Sequence, residues 1–198
     1  MKKVIKIMLT AFTCLLILSA CGKKQQTSEN KKPLNVPSLA SAFDTSGISL
    51  QKYNGIKVTS NQLKGGDSKA KVMKSLGKPI RTSDTKLTNN QTAKEYTWQL
   101  GNDAKIKYIF AIVYKDKILS KGYQQNTSSK IVKKQQIIKL SKNSNYKDVI
   151  NELGSPLAEE ISDGVQFLTY QTDKNGNAYN LTFKDNKLSN KMASQLNK

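Results

Sequence analysis

A phrase built on Leu-Gly-x-Pro occurs twice in this chain: Val72–Ile80 reads VMKSLGKPI and Val149–Leu157 reads VINELGSPL, at an offset of 77 residues. The residues common to both are aliphatics, a Leu-Gly pair and a Pro, none of which does acid, base or nucleophilic chemistry, so the phrase reads as structure. The likeness continues downstream. TWQ at Thr97–Gln99 matches TYQ at Thr169–Gln171, and YKDKILS at Tyr114–Ser120 matches FKDNKLS at Phe183–Ser189, with the offset shrinking from 77 to 72 to 69. Preserved order with shrinkage at loops is the mark of a duplicated domain, and the period is too long for a solenoid repeat.

Each copy resolves into elements. Asp67 or Ser144 supplies a helix cap, and Val72, Met73 and Leu76, or Val149, Ile150 and Leu153, share one face of the helix that follows. Gly77 or Gly154 then closes the helix with a backbone geometry that disfavours other residues, and Pro79 or Pro156 forbids its continuation. Upstream, ISLQKYNGI and SKIVKKQQII each allow a shorter first helix. Downstream, three strand-like runs follow in each copy, at 93–100, 105–115 and 117–123, then at 165–172, 177–184 and 187–192. Turns at GNDA, KDK, DKNGN and KDN separate them. The expected fold class is therefore α+β, two tandem helix-helix plus antiparallel-sheet units, over residues 46–126 and 127–198.

With V-x-x-x-L-G-x-P followed by an aromatic-bearing strand and an antiparallel sheet in both copies, the chain resembles the β-lactamase-inhibitor-protein-like (BLIP-like) fold over about residues 46–196. It is similar in kind to Gram-positive surface lipoproteins built as a tandem of such units. The resemblance implies a non-catalytic protein-binding module, with inhibition of a secreted or envelope enzyme as an alternative.

The first residues, MKKVIKIMLTAFTCLLILSAC, join an amino-terminal cluster of Lys2, Lys3 and Lys6 to an apolar stretch from Ile7 to Leu18 and then the small residues Ser19 and Ala20. At about 1.5 Å per residue that stretch falls short of a hydrocarbon core roughly 30 Å thick, so it reads as a secretion signal over residues 1–20. Leu18-Ser19-Ala20-Cys21 resembles the lipobox of bacterial lipoproteins, which implies a diacylglycerol-modified Cys21 as the first mature residue and a membrane partner through that lipid. Cys14 lies within the signal, so no disulfide is expected in the mature chain. Residues 21–45, polar and interrupted by Pro33 and Pro37, read as a flexible tether that spans on the order of 25–30 Å as a coil.

The chain has no histidine, which removes the commonest general base and metal ligand. Glu159-Glu160 beside Asp163 reads as a solvated loop, and DKNGNAYN at Asp173 reads as a hairpin turn because no glutamate closes it as a calcium loop. No enzyme activity, cofactor or metal is expected. The net charge of +19 comes almost wholly from lysine, with Arg81 the only arginine. Base reading relies on the bidentate guanidinium, so a specific nucleic acid is not expected; a diffuse lysine field suits a solubility coat or an anionic envelope polymer or membrane surface.

One surface stands out when the copies are compared. Alternation in the second copy predicts that Tyr179, Leu181 and Phe183 face the helices. The KDK match then assigns Phe110, Ile112 and Tyr114 to the inner face of the first copy. It leaves Ile109, Ala111, Val113 and, on the next strand, Ile118 as an outward apolar stripe. Tyr96 and Trp98 lie on the neighbouring strand, with a parity that suits the core or, in an open tandem sheet, a binding face. These six residues are the candidate protein-binding site.

Overall fold

A computed structural model describes residues 50–60, 63–99, 106–126 and 131–196. The chain runs through α1 (Leu50–Asn54), β1 (Thr59–Ser60), β2 (Lys64–Gly65), α2 (Lys69–Leu76), β3 (Arg81–Lys86), β4 (Thr92–Gln99), β5 (Ile106–Tyr114) and β6 (Lys117–Gln125). It continues through α3 (Lys134–Lys139), α4 (Tyr146–Leu153), β7 (Ala158–Ser162), β8 (Val165–Gln171), β9 (Asn177–Lys184) and β10 (Lys187–Gln195). β1 and β2 pair with each other, and the remaining strands form one eight-stranded sheet in the order β10-β9-β8-β7-β6-β5-β4-β3.

The expectation of two tandem helix-helix plus sheet units is overturned by that topology. β6 pairs directly with β7, from Ser120↔Ser162 to Gln124↔Ala158, so a single antiparallel sheet runs through the described chain. The described helices are four and short, none longer than eight residues. Beside the two-residue strands β1 and β2, two strands of the large sheet escaped the pattern, for different reasons. β3, RTSDTK, is an almost wholly exposed edge strand with no apolar alternation to reveal it. β7, AEEIS, is central but carries Glu159 and Glu160 where a central strand ordinarily carries aliphatics. Its pairing leaves no unpaired edge in the middle of the molecule.

The Leu-Gly-x-Pro phrase is a joint between helix and sheet. Ser68 and Asn145, one residue later than expected, cap α2 and α4 by accepting from the Lys71 and Lys147 amides. Leu76 and Leu153 are buried at the last turn. Gly77 and Gly154 follow at φ 79°, ψ −165° and φ 87°, ψ −175°, a region open essentially to glycine alone. Their carbonyls accept from an aromatic side chain of the sheet: Trp98 Nε1 donates to Gly77 O at 2.9 Å and the Tyr170 hydroxyl donates to Gly154 O at 2.8 Å. After the proline, the amides of Ile80 and Leu157 donate to Thr97 O and Thr169 O, which starts the next strand.

Register places all four helices on one side of the sheet. Trp98, Ile109, Tyr123, Glu159, Leu168, Leu181 and Lys191 are successive cross-strand partners and so share a face. At one end this row packs with Tyr53, Ile56, Val72 and Leu76 of the α1–α2 segment. At the other it packs with Ile137, Leu140, Val149 and Leu153 of the α3–α4 segment. Two lysines complete the helix ends. Lys121 Nζ donates to the carbonyls of Tyr53 and Ile56, both at 2.9 Å, and Lys191 Nζ donates to those of Ile138 at 2.7 Å and Leu140 at 2.8 Å. Each satisfies carbonyls that a helix terminus leaves without an internal partner.

Between the two core clusters stands Glu159. It is buried, and its carboxyl accepts from the Tyr53 hydroxyl at 2.8 Å and from the Tyr146 hydroxyl at 2.5 Å. One side chain thus ties α4 to the end of α1. Burial, and then the charge of Glu159, push the Tyr53 and Tyr146 hydroxyls up from the usual phenol value.

Candidate functional site

The opposite side of the sheet carries none of the described helices. Its central row, read through the register, is Arg81, Thr97, Phe110, Gly122, Glu160, Phe167, Thr182 and Asn190. The row beside it is Gln99, Tyr108, Gln124, Ala158, Thr169, Asn180 and Met192. Neither row contains a lysine, in a chain whose net charge is +19. Glu95, Ile112, Ser120, Ser162 and Val165 make up the row on the other flank, which meets Lys184 only at its far end.

The floor of this face is aromatic. A Cβ on Gly122 would stand 2.4 Å from ring atoms of Phe110 and 2.5 Å from the Glu159 carbonyl. The Phe110 ring therefore reaches across to β6, into the space a side chain would fill, and covers the glycine. Tyr108 is half-buried and its hydroxyl bonds Gln124 Oε1. Phe167 is half-buried and directly opposite Glu160 on the neighbouring strand. Met192 is 56% exposed at the β10 edge.

Glu160 sits between these rings, and its carboxyl accepts from Ser120 Oγ at 2.9 Å. Burial pushes that carboxyl up from its ordinary value; the Ser120 hydrogen bond opposes the shift and the charge of Glu95 adds to it. Three buried polar atoms of the face, Thr97 Oγ1, Gln171 Oε1 and Ser194 Oγ, have no hydrogen-bond partner among the described residues. Half-buried rings around a partly desolvated acid suit contact with another surface, where such groups gain the most from exclusion of water.

The residues singled out from sequence lie on the other side. Ile109, Ala111, Val113, Ile118, Tyr96 and Trp98 are all buried beneath α1 and α2, with Val72 and Leu76 among their neighbours. The outward assignment of Ile109, Ala111, Val113 and Ile118 is thus reversed, and Phe110, Ile112 and Tyr114 occupy the helix-free side. The cause is a one-residue slip. Tyr114 pairs with Lys117 across the β5–β6 turn, and Lys184 pairs with Lys187 across the β9–β10 turn. Tyr114 is therefore equivalent to Lys184, at an offset of 70, rather than to Phe183. In a period of two, such a shift moves every side chain to the other face. In the second half the assignment stands, with Leu181 and Phe183 fully buried under α3 and α4.

Glu159 and Glu160 are on a central strand rather than in a solvated loop, one under the helices and one on the helix-free face. The signal for them lay in β7 itself, two carboxylates inside a segment short enough to be a strand and bounded by Pro156 and Gly164. Asp173 closes the β8–β9 turn, where its carboxyl accepts from the Asn175 and Asn177 amides at 2.9 and 3.0 Å. Cys21, the signal and tether segments and the GNDA turn lie outside the described residues.

Comparison with known proteins bears on the fold. Residues 48–196 match DUF3862, described as a domain of unknown function with a solved structure. No curated protein matches the chain. A solved structure from Streptococcus mutans, described as that of a candidate β-lactamase inhibitor protein, is similar with a TM-score of 0.54 and 23% identity. The likeness covers 75% of this chain and 96% of that one. It shows a shared fold, and so supports the BLIP-like resemblance of the repeated phrase.

Proposed function

From the premise that the chain belongs to the DUF3862 family, we propose that it is an extracytoplasmic lipoprotein, anchored through lipid on Cys21, whose sheet domain is a non-catalytic protein-binding module. The helix-free face is the binding surface. The observation that carries this reading is the separation of charge: lysines crowd the rest of the molecule, and the two central rows of this face have none while holding Tyr108, Phe110 and Phe167. A solubility coat has no reason to avoid one face, whereas a surface that must be desolvated against a protein does. The absence of histidine from the whole chain favours binding over catalysis. The description of the Streptococcus mutans structure favours, as a second reading of the same face, inhibition of a secreted or envelope enzyme.

The binding face is tested by placing a photo-crosslinking residue at position 167 or at exposed Ile138 on α3, in the full chain on intact cells. A discrete protein adduct is expected from position 167 and not from position 138. Adducts from position 138 alone would reject the helix-free face. Salt-sensitive capture of isolated cell-wall polymer with no protein adduct would favour the electrostatic adaptor that the lysine excess suggests. The anchor is tested separately, since Cys21→Ala is expected to move the protein from the membrane to the soluble fraction; retention on membranes would overturn the lipid attachment.

A further inference from the structure

We infer that the partner presents a basic side chain, a lysine or arginine head, to the centre of the helix-free face, where it seats on Glu160 between the rings of Phe110 and Phe167. This rests on the proposed use of that face for protein binding and names the chemistry its centre selects.

The seat is made by register. Glu160 has Gly122 as its partner on β6 and Phe167 as its partner on β8. Because Gly122 has no side chain, the Phe110 ring of the next strand reaches over it, with ring atoms 2.4 Å from where a Cβ would be. The acid therefore stands in a trough with a ring on either side. Ser120 Oγ, at 2.9 Å, fixes the rotamer of the carboxyl. A carboxylate flanked by aromatic rings attracts a cation by a charge-assisted hydrogen bond, and a ring that turns its face to the cation adds to it.

Charge complementarity points the same way. Apart from Glu160, the charges on the three central rows are Arg81 at the β3 edge, Glu95, and Lys184 with Lys187 at the turn. Arg81 is engaged with Glu95 at 3.5 Å. Among the described residues the groups that act on the Glu160 carboxyl are Ser120 and Glu95, and no lysine. A chain of net charge +19 attracts acidic surfaces anywhere and repels basic ones almost everywhere. A basic tip is thus favoured at the centre of a face whose two central rows carry no lysine, which makes the contact selective as well as favourable.

The test uses the full chain in detergent and a phage-displayed library of random peptides as the probe. Binders are selected on the wild type and then measured on Glu160→Gln and on Phe167→Ser, each checked for an unchanged circular dichroism spectrum. The selected peptides are expected to share a lysine or arginine and to lose roughly ten- to hundredfold in affinity on Glu160→Gln, the range of a charge-assisted hydrogen bond. Peptides weakened by Phe167→Ser but unaffected by Glu160→Gln, and carrying acidic or only apolar residues, would overturn the basic contact and leave the binding face standing. Peptides indifferent to both substitutions would overturn the face itself, and with it this inference.

Discussion

Glu159→Leu is expected to destabilise the protein by about 2–4 kcal/mol, read as a lowered urea midpoint with an unchanged slope. Leucine is close in volume and keeps the strand buried, so the loss is of hydrogen bonding rather than packing. It leaves the hydroxyls of Tyr53, fully buried, and Tyr146, half-buried, without the acceptor they hold at 2.8 and 2.5 Å between the two core clusters. It also removes the acid whose field supports the buried Lys121. The asymmetry of hydrogen-bond energetics supplies the control. Adding Tyr53→Phe and Tyr146→Phe to Glu159→Leu removes the stranded donors along with the missing acceptor, and most of the lost stability is expected to return. A triple variant no more stable than the single one would show that Glu159 acts through something other than these two hydroxyls.

Alkaline pH is expected to destabilise the chain steeply above about pH 10 and to unfold it within the next few pH units. Burial, first, and the charge of Glu159 raise the hydroxyls of Tyr53 and Tyr123 above their ordinary value; burial, then Tyr123 and Glu159, raise that of Tyr170. A raised folded-state value means that the folded chain holds its proton while the unfolded chain releases it. The stabilisation is complete below about pH 10 and is lost as pH rises toward the folded values. Each such tyrosine removes up to about 1.4 kcal/mol per pH unit, and the three together about 4 kcal/mol per unit, enough to exhaust a domain of ordinary stability within a few units. Lys121 works in the opposite direction over an earlier window. Its ammonium is lowered to about 8 by burial, so the folded chain holds fewer protons than the unfolded one between about pH 8 and 10.5, and stability rises there. The expected profile of urea midpoint against pH therefore climbs or stays level from pH 8 to 10 and then drops, with tyrosinate absorbance appearing in the same cooperative step. Gradual tyrosine ionisation centred at pH 10 with the circular dichroism intact would contradict it.

The helix stops were legible because glycine at positive φ and a proline two residues on leave a chain few alternatives. β4, β5, β6, β8, β9 and β10 were legible in turn, because apolar residues recur along them and turn residues separate them, with two-residue turns between β5 and β6 and between β9 and β10. Continuity of the sheet was not. It depends on β7, whose buried member is a glutamate satisfied by tyrosines from α4 and from the end of α1, a contact between residues 106 apart in the chain that no local pattern announces. The binding surface was missed for a smaller reason. Two tight turns, Lys115-Asp116 and Asp185-Asn186, share their positive-φ geometry but not their letters, and aligning the letters instead of the turns inverted one half of the sheet. A positional match that respects where a turn must place its left-handed residues would have set the register correctly and shown Phe110 on the open side.

The seam between β6 and β7 also orders events in time. Every other neighbouring pair in the large sheet is joined by a short hairpin connection, and such pairs form from contacts close in sequence. β6 and β7 are separated by α3, α4 and their loops, so their ladder must close a circuit that contains two helices. Loop entropy makes that the slow, non-local step. Until it is taken, β6 and β7 are bare edges, and Tyr53 waits for an acceptor that arrives from the other end of the chain. The carboxyl that looks most out of place in a central strand is thus the one that registers, by finding two hydroxyls at once, that both ends of the molecule have come together.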